Sequence, residues 1–230
     1  GIGRAIAMRL AEEGADVVVT DIQRSTDRMR SEDRQSGWRG LPSVVEEIES
    51  LEGESLGLYS DVSDNFQVDD MVSQILGRFG QIDILVNNAG TTDHAAVQHA
   101  DMTAWQSVLD LYFASVMRLS QRVLPEMIER ESGAVINISS ISGRNSVAGS
   151  GIYAATKHAL IGFSGCLFED VREHGVKVST ILPGFVETKM TERLKMDQSR
   201  MIAPDDIADA VEFVLSSSAR CCPCLLYTSP

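Results

Sequence analysis

The stretch that decides the fold runs from Gly1 to Asp21, GIGRAIAMRLAEEGADVVVTD. Gly1, Ile2 and Gly3 open a segment in which Ile6, Ala7, Leu10 and Ala11 recur at helical spacing, and Gly14 stops it. Asp16-Val17-Val18-Val19-Thr20 then reads as a short β-branched strand that closes on an acid, Asp21. Glycines opening a helix, then a strand, then an acid about 20 residues on make up most of the dinucleotide-binding fingerprint. The glycines let main chain approach a pyrophosphate at the positive end of a helix. The acid accepts hydrogen bonds from the adenosine ribose hydroxyls. A complete fingerprint has a strand before its glycines, and this sequence starts at them. The first, central strand is therefore expected to lie outside it.

Downstream, strand and helix patterns alternate. A helix is predicted over Leu41 to Leu51, a strand from Ser55 to Tyr59 leading to Asp61-Val62, and an amphipathic helix from Asp64 to Phe79. Ile82 to Val86 is an apolar run broken only by Asp83, the pattern of a strand buried on both faces, and it ends in Asn87-Asn88-Ala89-Gly90. Thr103 to Arg130 reads as one long helix, apolar on more than one face, with room to pack on the sheet and on another subunit. Ala134 to Ile138 and Val176 to Leu182 are strands, Gly151 to Glu173 is a helix, and a last helix starts at Pro204 and runs to Ser216. Alternation of this kind implies α/β architecture: a three-layer, Rossmann-type, doubly wound parallel sheet in one domain. The domain is expected over residues 1–220. Residues 221–230, CCPCLLYTSP, break the pattern where a further strand is wanted, and read as an aberrant tail outside the fold. Both the first and the last strand are thus expected to be missing.

Bulk properties narrow the function. The 230 residues are 43% hydrophobic and 23% charged, ordinary for one soluble globular domain. A net charge of -13 argues against nucleic acid, whose binders gather Lys and Arg. No apolar run is long enough for a membrane span. Cys166 reads as a small core residue, and Cys221, Cys222 and Cys224 lack zinc-ligand spacing and a nearby His, so no metal is expected. Nothing indicates an oxidising compartment, and the cytoplasm is the expected location. Ile22 to Pro42 is polar and carries Arg24, Arg28, Arg30, Arg34 and Arg39, which could suggest a 2′-phosphate site. Asp21 would repel that phosphate, and Asp27, Glu32 and Asp33 lie in the same segment.

The chemistry concentrates in Ser139 to Lys157, SSISGRNSVAGSGIYAATK. Tyr153 and Lys157 fall one turn apart on a predicted helix, hence on one face. A free phenol titrates near 10, too high for efficient proton transfer at neutral pH, and a neighbouring ammonium favours its charged form. A serine hydroxyl upstream can bond the same reacting oxygen. These three side chains are read as the proton-handling group, with a bound dinucleotide handling the hydride. A Tyr-x-x-x-Lys pair is common by chance on helices, so the weight comes from the whole pattern.

That pattern resembles the short-chain dehydrogenase/reductase family over about residues 1 to 218. The resemblance rests on Gly1-Ile2-Gly3, Asp21, Asp61-Val62, Asn87-Asn88-Ala89-Gly90, Ser140, Tyr153-x-x-x-Lys157, and Pro183-Gly184 with Val186 and Thr188. The thirteen-residue step from Ser140 to Tyr153 fits the family and selects Ser140 over Ser139. It implies Ser140, Tyr153 and Lys157 as catalytic residues: the tyrosine exchanges the proton, the lysine holds the nicotinamide ribose and keeps the tyrosine's pKa low, and the serine binds the substrate oxygen. It implies cofactor contacts from Gly1, Ile2, Gly3, Asp21, Asp61, Val62, Asn88, Ala89, Gly90, Tyr153, Lys157, Pro183, Gly184, Val186 and Thr188. The acid at Asp21 is the family's usual mark of NAD rather than NADP. The implied activity is hydride transfer between NAD(H) and a secondary alcohol or ketone, in a homodimer or homotetramer. One departure stands out: Tyr112 falls where the family has an active-site asparagine, and a phenol cannot copy an amide's geometry. That departure motivates the alternative of a non-catalytic dinucleotide-binding sensor or scaffold. An epimerase or dehydratase on this fold would want a larger substrate domain. Substrate choice is assigned to loops 91–100, 144–151 and 187–199, where His94 and His99 lie.

Overall fold

The computed structural model describes residues 1–22, 39–51, 53–91, 95–192 and 197–229. The arginine-rich stretch considered for a 2′-phosphate falls outside the described residues, apart from Arg39, which pairs with Glu46. So does His94. In chain order the elements are α1 (Ile2–Glu12), β1 (Val17–Asp21), α2 (Leu41–Glu49), β2 (Ser55–Tyr59), α3 (Asn65–Phe79), β3 (Ile84–Asn87) and α4 (Met102–Leu109). There follow a π-helical turn (Asp110–Ala114), α5 (Ser115–Glu129), β4 (Gly133–Ile138), α6 (Gly151–Val171), β5 (Val176–Pro183), α7 (Pro204–Ser216) and β6 (Leu225–Thr228).

All ladders are parallel, as the alternation of strands and helices requires. Among the described residues they form two sheets rather than the single one expected. β1 pairs with β2, and β3-β4-β5-β6 form the other. The expected loss of a last strand is corrected. Leu225–Thr228 pairs with Thr180–Pro183, and Thr180 N donates to Cys224 O and Gly184 N to Thr228 O on either side of that ladder. The run Leu-Leu-Tyr-Thr is short, but it matches what an open parallel edge accepts: apolar and β-branched side chains.

The period-two alternation of β4 and β5 divides the core between two faces. Ile136, Ile138 and Ile181 meet Ala5 and Ile6 of α1 and Ile207, Val211 and Val214 of α7. Val135, Val176 and Val178 meet Val123 and Met127 of α5 and Leu167 and Val171 of α6. Helices on both faces of a parallel sheet make the three-layer Rossmann-type arrangement. On α1, Ala7 and Ala11 turn the other way and pack on Val17, Val44 and Ile48. One helix therefore joins the two sheets. Among the described residues no helix is long and apolar enough to cross a membrane.

Candidate active site

Because the strands run parallel, their C-terminal ends gather on one edge: Asp21 from β1, Asn87 from β3, Ile138 from β4 and Pro183 from β5. Ligands in open α/β sheets bind outside that edge. α1 starts there too. Its N-cap, Gly1, makes no side-chain hydrogen bond, so no side chain of its own satisfies the first N–H groups. A methyl group added at Gly3 would lie 2.6 Å from Asn88 Nδ2, and one at Gly1 would lie 3.9 Å from Thr188 Cγ2. The helix start, the Asn88 loop and the Thr188 loop therefore converge. A helix N-terminus with glycine main chain beside an Asn amide fits a dinucleotide pyrophosphate.

The remaining candidate cofactor residues separate into two groups. Asp21 lies exposed at the end of β1, where its Oδ1 accepts from Ile22 N at 2.8 Å. Ala89, Gly90 and Asn88 lie past β3, exposed or half-buried. Asp61 Oδ1 accepts from Ser63 N and Ser63 Oγ at 2.9 and 2.6 Å, which fixes its loop. Pro183 ends β5 and Gly184 follows it, and Thr188 N donates to Thr191 Oγ1 at 3.1 Å. By contrast, Val62 and Val186 send their side chains into the core and Ile2 packs against it. At Val62 and Val186 only main chain is left to meet a ligand, while Ile2 stays partly exposed.

Ser140 leaves β4 in an extended conformation, and its Oγ accepts from Ser142 N at 3.1 Å. Its hydroxyl also shares a hydrogen bond with Tyr153. Tyr153 and Lys157 stand one turn apart on α6. Ser139 faces the same helix, donating through Oγ to Lys157 O at 3.2 Å, while Ser139 N donates to Ile181 O at 2.8 Å. The choice of Ser140 over Ser139 thus corresponds to two different jobs: Ser139 ties β4 to α6, and Ser140 meets the phenol.

Lys157 is 4% exposed, and its Nζ donates to Ile138 O at 2.9 Å. The ammonium lies 5.7 Å from the centre of the Tyr153 ring and 4.3 Å from that of Tyr112. Burial pulls its pKa down to about 7. The expectation that this cation lowers the Tyr153 pKa meets a different balance. Burial pushes the phenol above its ordinary range, and the bond to Ser140 pulls it only partly back. A desolvated phenol resists charging, and here that cost outweighs the help it receives.

Sequence reasoning missed what surrounds this group. Asn87 Nδ2 donates to Asn137 Oδ1, and Asn137 Nδ2 donates to Ser164 Oγ, each at 2.8 Å. Ser164 Oγ passes the chain to Leu160 O at 2.6 Å. Buried polar side chains at the ends of β3 and β4 and within α6 give no signal in the sequence that they meet, and only the register places Asn87 beside Asn137. Val108, Tyr112 and Ile152, with Trp105, Leu109 and Tyr153 against them, form an apolar wall beside the phenol.

The profile of the family described as short chain dehydrogenase matches residues 1–199. The chain is 33% identical over 230 residues to 3-oxoacyl-acyl-carrier-protein reductase FabG of Staphylococcus epidermidis, covering 96% of this chain and 89% of that protein. It is 32% identical to the 3-oxoacyl-acyl-carrier-protein reductase of Synechocystis, covering 95% and 86%. Among solved structures, a metagenomic short-chain oxidoreductase in complex with NADP superposes with a TM-score of 0.82 at 30% identity, over 100% of this chain and 92% of that one. An acetoin dehydrogenase from Salmonella typhimurium shares the fold, with a TM-score of 0.82 at 23% identity over 99% of this chain and 89% of that one.

Proposed function

Because the chain belongs to the short-chain dehydrogenase family, we propose that it is an oxidoreductase acting on the carbon–oxygen bond of a ketone or secondary alcohol. The observation that carries this reading is the hydrogen bond between Ser140 and Tyr153, half-enclosed by protein at the C-terminal edge of the strands, with Lys157 one turn away. A nicotinamide dinucleotide, when bound, supplies or accepts the hydride. Ser140 orients the substrate oxygen, and Tyr153 gives that oxygen a proton in reduction or takes it in oxidation. Lys157 contributes positive charge beside the phenol. Gly1, Gly3 and Asn88 would hold the pyrophosphate and Thr188 the nicotinamide end.

Asp21 supports NAD as the preferred form, since an exposed carboxylate at the ribose repels a 2′-phosphate. The metagenomic relative holds NADP, so the two forms need direct comparison. Titrations should give tighter binding of NADH than of NADPH, and Asp21→Ser should narrow the gap. Tighter NADPH binding by the parent protein would overturn the NAD assignment. The relatives' names make 3-oxoacyl thioesters the first substrates to try, followed by other acyl ketones, hydroxysteroids, diols and sugars. With a substrate in hand, Tyr153→Phe should cut turnover at least about 100-fold, the scale of general acid–base catalysis, and leave NADH affinity unchanged. Turnover at the parent rate would refute the proton-transfer role. NADH binding without turnover on any of these substrates would favour the non-catalytic alternative.

Assembly as a homodimer or homotetramer in the cytoplasm belongs to the same proposal. Its support is the apolar cleft of about 500 Å³ between α5 and α6, lined by Met117, Leu124, Phe163 and Leu167. Light scattering showing a monomer at working concentration would remove it.

A further inference from the structure

Tyr112 lies in the π-helical turn Asp110–Ala114, between α4 and α5, and is 4% exposed. Three contacts fix it. Its hydroxyl donates to Thr91 O in the loop after β3. Its ring meets the Tyr153 ring edge-on, with centroids 5.5 Å apart and planes at 79°. Its face receives the Lys157 ammonium at 4.3 Å. That separation is well inside the ~6 Å reach of a cation–π contact, which strengthens when the cation is desolvated.

An ammonium carries three N–H donors. Among the described residues Lys157 Nζ spends one of them, on Ile138 O. Among the described residues no carboxylate acts on it: β4 and the residues after it offer the Ile138 carbonyl and the hydroxyls of Ser139 and Ser140, α6 offers Tyr153, and the π turn offers Tyr112, while that turn's Asp110 accepts from Gln106 Nε2 instead. The titratable groups facing Lys157 are thus two phenols. Burial is what lowers its pKa. Beside the Ile138 carbonyl, the negative face of an aromatic ring compensates the buried positive charge.

We propose, resting on the reaction proposed above, that Tyr112 is a positioning residue. Its ring face holds the Lys157 ammonium between the Ile138 carbonyl and Tyr153, and its hydroxyl moors that ring to the loop after β3. The loop carries Gly90, and a methyl group there would lie 2.6 to 2.9 Å from the Tyr112 ring atoms and hydroxyl. Glycine is what lets the phenol occupy this place. Tyr112 thereby couples the cofactor side of the crevice to the proton-handling pair.

The test uses the folded protein and needs no substrate. A lysine whose folded pKa lies below its unfolded value destabilises the fold at low pH, and stability recovers as pH rises between the two values. For Lys157 that window opens at about 7 and closes at the ordinary 10.5. Urea unfolding from pH 5.5 to 9.5 should therefore show a rise whose lower break reports the folded pKa. Subtracting the curve of Lys157→Met removes histidines and other groups. Tyr112→Phe keeps the ring and should keep the break. Tyr112→Leu removes the ring and should move the break down by about one pH unit, the scale of a desolvated cation–π contact. Tyr112→Met serves if the leucine variant does not fold. An unmoved break in the aliphatic variants would overturn the proposal, and so would a phenylalanine variant shifted as far as the leucine one. Absence of turnover in the parent protein would count against the proposed reaction alone, because the unfolding curves judge Tyr112 independently.

Discussion

At the scale of single residues, Gly90 is the sharpest probe of the site. Gly90→Ala forces its new methyl into the Tyr112 ring, so it should cost about 1–3 kcal/mol in urea unfolding, the range for overpacking. In a Tyr112→Leu background most of that cost should vanish, as contacting residues couple in a double-mutant cycle. Additive losses would mean the clash is relieved elsewhere. The shared face of Tyr153 and Lys157 was legible in the sequence because spacing along one helix is a local property, whereas Ser140, which follows β4, was singled out by the family resemblance. The direction of the Lys157 side chain was not legible. It turns to the Ile138 carbonyl and the Tyr112 ring, partners brought near by β4 and by a helix some forty residues upstream. The sign of the Tyr153 shift was illegible for the same reason, since desolvation is set by packing from every side.

At the scale of elements, the sequence marked strands and helices well where their pattern was self-contained. β4, β5, α3 and α6 fall where apolar periodicity put them. Thr103 to Arg130 was read as one helix, and the structure divides it at Asp110–Ala114. A π turn keeps helical hydrogen bonding and adds one residue to a turn, so the apolar stripe shows no break. What distinguishes the turn is Tyr112, whose hydroxyl is satisfied outside the helix altogether. The helix before it has a firm start: Asp101 Oδ1 accepts from Thr103 N at 2.8 Å and Ala104 N at 3.4 Å. Asp101→Ala should destabilise the protein by about 1 kcal/mol, the usual value of such a cap, and Asp101→Asn should restore most of it. Circular dichroism melts would measure this. Equal stability in all three proteins would show that α4 is held by its contacts with α6 instead. The other misread element is β6, whose cysteines and proline obscured a strand that the open edge of β5 completes.

At the scale of the whole molecule, α1 is the member that ties the parts together. It is wedged between the β1-β2 pair with α2 on one side and the four-stranded sheet with α7 on the other. Ile6, 3% exposed, lies at the centre of the second contact, and Ile6→Ala should cost about 2–5 kcal/mol by the cavity it leaves. It should also expose the β1-β2 region to hydrogen exchange before the rest. Loss of protection spread evenly over the molecule would argue that the two sheets share other ties. Arg9 of α1 pairs with Asp209 and, at 2.7 Å, with Glu212 of α7, but these groups are partly exposed and add little beside the apolar contact. The architecture was readable because alternation of strand and helix is printed along the chain. The division into two ladders was not, because pairing partners are chosen in space. The Ile6 contact also sets an order of events during synthesis. About 200 residues separate Ile6 from Ile207 and Val211. At roughly 5–20 residues per second a ribosome takes on the order of 10–40 s to deliver α7 after α1 has emerged. Throughout that interval the part of the nascent helix that meets α7 lacks that cover, which makes it a natural handhold for a chaperone.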